Sequence, residues 1–220
     1  MSTIALSALF ACGGFLAGLG SARLAEWLHA DEERRSAKVG IVQDPIVQLG
    51  LVIVWGLAPA LLAGPWWRVL AGAVLAVPLV QVAVTDLRYR YVYTVVAVGG
   101  LALGLALGWL VHGAEPSTGL LGAAGGFVGF GALYAIGRLV YGGQTEPLAR
   151  GDVTIAAMVG AIACGCTPQA LILGVLASGV AALGVLVLRR SRHAFLPYGP
   201  GLCLGGLLIL FDPVRSFVGC

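Results

Sequence analysis

Eight long apolar stretches follow one another along this chain, at about 4–22, 46–64, 67–85, 92–111, 118–141, 153–166, 168–188 and 199–217, with acidic residues only at or beside their ends. A helix needs about 20 mostly apolar residues to cross the hydrocarbon core of a bilayer. Seven of the stretches approach that length, while the sixth, with about 14 residues, has the length of a half-span. Only 10% of the residues are charged, against roughly 25% in a soluble domain, too few to cover a soluble surface. A mean hydropathy of +0.97 agrees. Most of the 34 glycines fall inside the apolar runs, where they let neighbouring membrane helices approach closely. The expected fold is therefore all-α: one domain over residues 1–220, a polytopic transmembrane bundle of about eight spans with the sixth short. No basic residue precedes the first apolar run, so it is expected to stay as a helix rather than be cleaved as a signal. Gly165-Cys166-Thr167-Pro168 breaks the sixth stretch from the seventh.

Lysine and arginine set the predicted orientation. With the N-terminus outside and all eight stretches crossing, the cytoplasmic side holds Arg23, Arg34, Arg35, Lys38, Arg88, Arg90, Arg138, Arg150, Arg189, Arg190 and Arg192. Only Arg68 and Arg215 fall outside, a strong positive-inside bias. If the sixth stretch did not cross, the basic group at 189–192 would lie outside, so the charge rule favours crossing. This orientation puts Asp86, at the end of the third span, and Asp152, at the start of the sixth, on the same cytoplasmic boundary. No other two acids sit at helix ends in this way: Glu26, Asp31, Glu32, Glu33 and Asp44 belong in or beside the first loop, and Glu115 and Asp212 to the other side.

A carboxylate at a membrane boundary is costly unless it is paired or has a task. Two carboxyl groups held close together share one proton, because both cannot ionise at about 3 Å. The ionised one takes a proton from water, and the protonated one polarises a peptide carbonyl. That is acid–base chemistry with no metal, cofactor or covalent intermediate. Simpler roles are also open. Asp152 could cap the helix that begins with Val153, and Asp86 could pair with Arg88 or Arg90.

Four stretches resemble, in order, the landmarks of type IV prepilin peptidases. Gly20-Ser21 followed by Arg23 is similar to the end of that family's first helix. Thr85-Asp86-Leu87-Arg88 resembles its first aspartate motif. Gln144-Thr145-Glu146-Pro147-Leu148-Ala149-Arg150-Gly151-Asp152-Val153 resembles its Glu-then-GxGD segment, and Leu196-Pro197-Tyr198-Gly199-Pro200 its Pro-Phe-Gly-Pro segment. The resemblance implies an aspartic endopeptidase of the cytoplasmic membrane with Asp86 and Asp152 as catalytic pair. It implies an active-site loop containing Glu146, Ala149, Arg150 and Gly151, and substrate contact at Arg88, Tyr198, Gly199 and Pro200. The implied substrates are prepilins and pseudopilins, cut at the cytoplasmic face just before their hydrophobic helix. Gly151, without a side chain, would let backbone or substrate come close to the carboxylate.

The chain departs from the pattern in three places. Ala149 stands where the first glycine of GxGD is, and alanine adopts a positive φ only at a cost. Tyr91-Val92-Tyr93 replaces the Ile-Pro that follows the first aspartate. Residues 22–45 form a short charged loop without cysteine, where bifunctional relatives carry a cysteine-containing domain, so peptidase activity is expected without N-methylation. A catalytically inactive relative that binds pilin helices or scaffolds secretion is the competing reading, and a small transporter a third. The transporter reading predicts acids near the midplane of the spans, which are absent. His29, His112 and His193 lie in separate loops, and Cys12, Cys164, Cys166, Cys203 and Cys220 form no C-x-x-C pair, so neither a metal centre nor a nucleic-acid interface is expected. The sequence carries no indication of oligomeric state.

Overall fold

A computed structural model describes residues 3–29, 45–62, 64–89, 92, 94–140, 148–189 and 198–211. Among these the chain is entirely helical: α1 (Thr3–His29), α2 (Pro45–Leu61), α3 (Trp66–Tyr89), α4 (Thr94–His112), α5 (Pro116–Val140), α6 (Arg150–Ala163), α7 (Thr167–Arg189) and α8 (Gly199–Leu210). A single 3-10 turn, Cys164–Cys166, joins α6 to α7. The predicted stretches match these helices, with limits that shift by a few residues, most of all in α1 and α8. α1 continues past residue 22 to His29, so the start of the segment assigned to a loop is helical. α8 is described only to Leu210, with Phe211 closing its last turn. By length and composition, the continuous segments Trp66–Leu87, Thr94–His112, Pro116–Val140 and Arg150–Gly184 can cross a membrane.

Direction alternates along the whole chain, and glycines report it. α5 lays Gly122 against Gly160 and Gly126 against Ala156 of α6, so α5 and α6 run antiparallel. Gly100, Gly104 and Gly108 of α4 meet Met158, Ile162 and Cys164 in that order, so α4 and α6 run parallel. α7 and α8 are antiparallel, with Gly174 against Leu202 and Gly205 against Ala170. Gly199 of α8 lies by Asp86 and Gly206 by Leu79, which makes α3 and α8 antiparallel as well. On the other flank Gly14 and Gly18 of α1 fit Trp55 and Leu51 of α2, and Gly50 of α2 meets Val80 of α3. A bilayer supplies no hydrophobic drive between helices, so close backbone approach at small residues is what holds them together. At the Gly122–Gly160 and Gly126–Ala156 crossings, an added Cβ would overlap a carbonyl oxygen of the neighbouring helix.

α6 is the central helix. It packs against α4, α5, α7 and α8, and every residue from Asp152 to Ala163 except Thr154 is buried. A helix that is apolar all round belongs in the interior. Its 14 residues span about 21 Å, less than the roughly 30 Å of a hydrocarbon core. The chain nevertheless reverses after it, because Cys164 takes φ 51° and ψ −124°, an unfavourable left-handed conformation for a residue with a side chain. Thr167 pins the reversal, its Oγ1 donating to Cys164 O at 2.6 Å or Gly160 O at 3.1 Å. At that same end Arg68 Nε donates to Val111 O at 2.6 Å, and His112 Nε2 lies 2.9 Å from Ile162 O, bracing the ends of α4 and α6.

Candidate functional site

The end of the bundle opposite this reversal gathers the C-terminus of α3 and the N-termini of α4, α6 and α8. Asp86 lies in the last turn of α3, and Asp152 in the first turn of α6. The alternation of the helices brings both carboxyl groups to one end, and each is only 6% exposed. α8 joins them: a Cβ on its first residue, Gly199, would meet both the Asp86 carboxylate and Ile155, which is three residues beyond Asp152 on α6. One turn deeper, the fully buried Cys203 thiol is within electrostatic reach of both Asp86 and Asp152. The register agrees, since Cys203 is four residues beyond Gly199, on the same helix face.

The two carboxyl groups are held differently. Asp152 Oδ2 accepts the Ala149 N–H at 3.0 Å, while the Asp152 N–H donates to Ala149 O, also at 3.0 Å. Ala149 is thus the N-cap of α6 and Asp152 its third residue, which corrects the expectation that Asp152 itself caps the helix. A first-turn acid reaching back to the N-cap amide is half of a capping box. Asp86 Oδ2 is buried and makes no hydrogen bond within the described residues, although the side chain has other interactions. Thr85 beside it turns its hydroxyl onto its own helix, 2.8 Å from Gln81 O, a self-satisfying arrangement for a helical threonine.

The rim residues fall into separate groups. Ala149 has φ −79° and ψ 151°, ordinary extended backbone that alanine adopts freely. The positive φ that would have favoured glycine there is absent. Among the described residues, the atoms nearest to a Cβ on Gly151 would be those of Val92, at 3.6–4.0 Å, ordinary contact that does not require glycine. Arg150 is exposed, and its Nε donates to Tyr134 Oη on α5 at 3.2 Å. The Arg138 guanidinium lies 6.0 Å from the centre of the same ring. Tyr198 is 37% exposed and Pro200 half-buried, whereas Gly199 is buried. Glu146 lies outside the described residues, as do Arg90, Tyr91, Tyr93, Leu196 and Pro197; of Arg88 only the backbone, in α3, is described.

Sequence reasoning assigned Cys203 to packing and missed that its buried thiol lies within electrostatic reach of both aspartates. Its four-residue spacing from Gly199 was the available signal. It also gave no role to Ser178, whose relation to this site comes from α7 and carries no local motif.

The family model described as the type IV leader peptidase family matches residues 73–187, just over half of the chain, from within α3 through α6 and into most of α7. A prepilin leader peptidase/N-methyltransferase of Xanthomonas campestris is 28% identical over 82% of this chain and 62% of its own length. One of Aeromonas hydrophila is 26% identical over 90% of this chain and 69% of its own. A type 4 prepilin-like proteins leader peptide-processing enzyme of Escherichia coli is 28% identical over 86% and 68%. The matches thus take in only about two thirds of those relatives' length. No solved structure matches. The chain belongs to the type IV leader peptidase family.

Proposed function

We propose that this protein is a membrane aspartic endopeptidase that removes the leader of type IV prepilins or pseudopilin-like proteins, with Asp86 and Asp152 as its catalytic pair. The observation that carries the reading is the convergence of two buried carboxyl groups, distant in sequence, at one end of the bundle around α8. In the resting pair one proton is shared. The ionised carboxylate takes a proton from a water held between them, and the resulting hydroxide attacks the scissile carbonyl carbon. The other carboxyl group gives its proton to the carbonyl oxygen. Collapse of the gem-diol then breaks the C–N bond, as the leaving amine takes a proton from the carboxyl group that first acted as base and a gem-diol hydroxyl returns its proton to the other carboxylate, restoring the pair. Asp152, with Oδ2 held by the Ala149 amide, would act through Oδ1.

The same end of the bundle is the cytoplasmic one in this reading. The connections at that end, residues 30–44, 90–93, 141–149 and 190–198, carry most of the Lys and Arg between helices, whereas Arg68 sits at the opposite end. A substrate helix standing in the inner membrane would then present its leader junction at the level of the aspartates. N-methylation is not part of the proposal, because the segment between α1 and α2 is short and lacks cysteine. The inactive-scaffold alternative loses its main support, since the extended backbone of Ala149 requires no glycine.

Cleavage of a prepilin in membranes, compared between wild type, Asp86→Asn and Asp152→Asn at equal expression, tests this. Loss of cleavage in both variants is expected, and wild-type cleavage by either one refutes the pair.

A further inference from the structure

We propose that Ser178, on α7, is a positioning residue for Asp86, acting through the first turn of α8. The inference rests on the reading of Asp86 as half of the catalytic pair. Ser178 is 5% exposed, and its Oγ lies 3.0 Å from Gly174 O and 3.3 Å from Tyr198 O. A serine within a helix satisfies itself with the carbonyl four residues back and needs no second acceptor. Here the second acceptor belongs to another helix, at the residue immediately before α8. Tyr198 O also accepts the Leu202 N–H at 3.0 Å, so the serine reaches the carbonyl that begins the α8 hydrogen-bond ladder.

The surrounding fit makes this a stop rather than a loose contact. At Gly201 a Cβ would overlap Ser178 Oγ, and at Gly174 it would lie 2.7 Å from Leu202 Cα. The backbones of α7 and α8 therefore touch on both sides of the serine. On the opposite face of this same turn Gly199 bears on Asp86, and a Cβ there would also come within 3.0 Å of Ile155 Cδ1. The first turn of α8 is thus gripped by Ser178 from α7 and bears on Asp86 of α3 and Ile155 of α6. Without the hydroxyl the turn keeps its packing but loses its directional tie to α7, and the seat of the Asp86 carboxylate shifts with it.

The test uses the whole protein in lipid nanodiscs with a prepilin substrate. Ser178→Ala is expected to lower kcat about fivefold, the worth of one lost hydrogen bond, with KM and the melting temperature unchanged. Ser178→Cys, a weak donor, is expected between the two. Gly179→Ala, whose methyl enters open space on the neighbouring position, is expected at the wild-type rate. On a Gly199→Ala background, where the seat is already disturbed, Ser178→Ala is expected to cost nothing more. A wild-type kcat for Ser178→Ala overturns the proposal. So does an equal loss in both backgrounds that tracks a lower melting temperature, which marks ordinary packing. Asp86→Asn separates the two levels: if it cleaves like wild type, the reading of Asp86 fails. If it is inactive while Ser178→Ala is normal, only the role of Ser178 fails.

Discussion

Gly199→Ala is the sharpest probe of the site, because one methyl group is aimed at one carboxylate. Built on the backbone, the new Cβ overlaps Asp86 Oδ2 and stands 3.2 Å from its Cγ and 3.0 Å from Ile155 Cδ1. The contacts have unequal freedom. Ile155 is fully buried in the core of α6, and α8 is held against α7 by backbone contacts at Gly201 and Gly205. The Asp86 side chain is the part best able to rotate, so it moves. Overpacking of this kind costs about 1–3 kcal/mol of stability, and a misplacement of about 1 Å at a reacting group costs on the order of 100-fold in rate. The expected result is a kcat reduced on the order of 100-fold in protein that is still folded, with KM little changed. Prepilin cleavage kinetics, with melting of the purified protein measured in parallel, supply both numbers. Wild-type kcat in Gly199→Ala would refute the reasoning, since it would mean that the seat of Asp86 does not matter to the chemistry.

Three further outcomes follow from the same geometry. Gly151→Ala adds a methyl at ordinary contact distance from Val92, so the melting temperature should hold. A loss of cleavage with a raised KM would then mark Gly151 as a surface that substrate approaches. Ala149→Gly should give no gain in activity and a loss of about 0.4–1 kcal/mol in stability, because φ is −79° and the glycine only adds freedom to the unfolded chain; a large gain in rate would contradict this. Cys203→Ala should retain cleavage despite the closeness of the thiol to both aspartates, and its inactivation in a folded protein would point to thiol chemistry instead.

Residues alone determined that the chain is a bundle of membrane helices, because eight apolar stretches and 10% charge leave it no soluble alternative. The lengths of the apolar runs and the helix breakers then set most of the element limits to within a few residues, including the break between α6 and α7. Asp86 and Asp152 were legible as candidates because acids at span ends are rare and expensive. Tertiary structure decided what surrounds them. Ala149 became the N-cap and Asp152 the third helical residue because α6 begins three residues earlier than its apolar run. Gly199 came to rest against Asp86, Cys203 within electrostatic reach of both carboxyl groups, and Ser178 behind α8, through packing among α3, α6, α7 and α8. Hydropathy records that a residue prefers lipid or protein to water, but not which neighbour it meets. In a bilayer that choice is made by the close fit of one helix backbone in another's glycine notch.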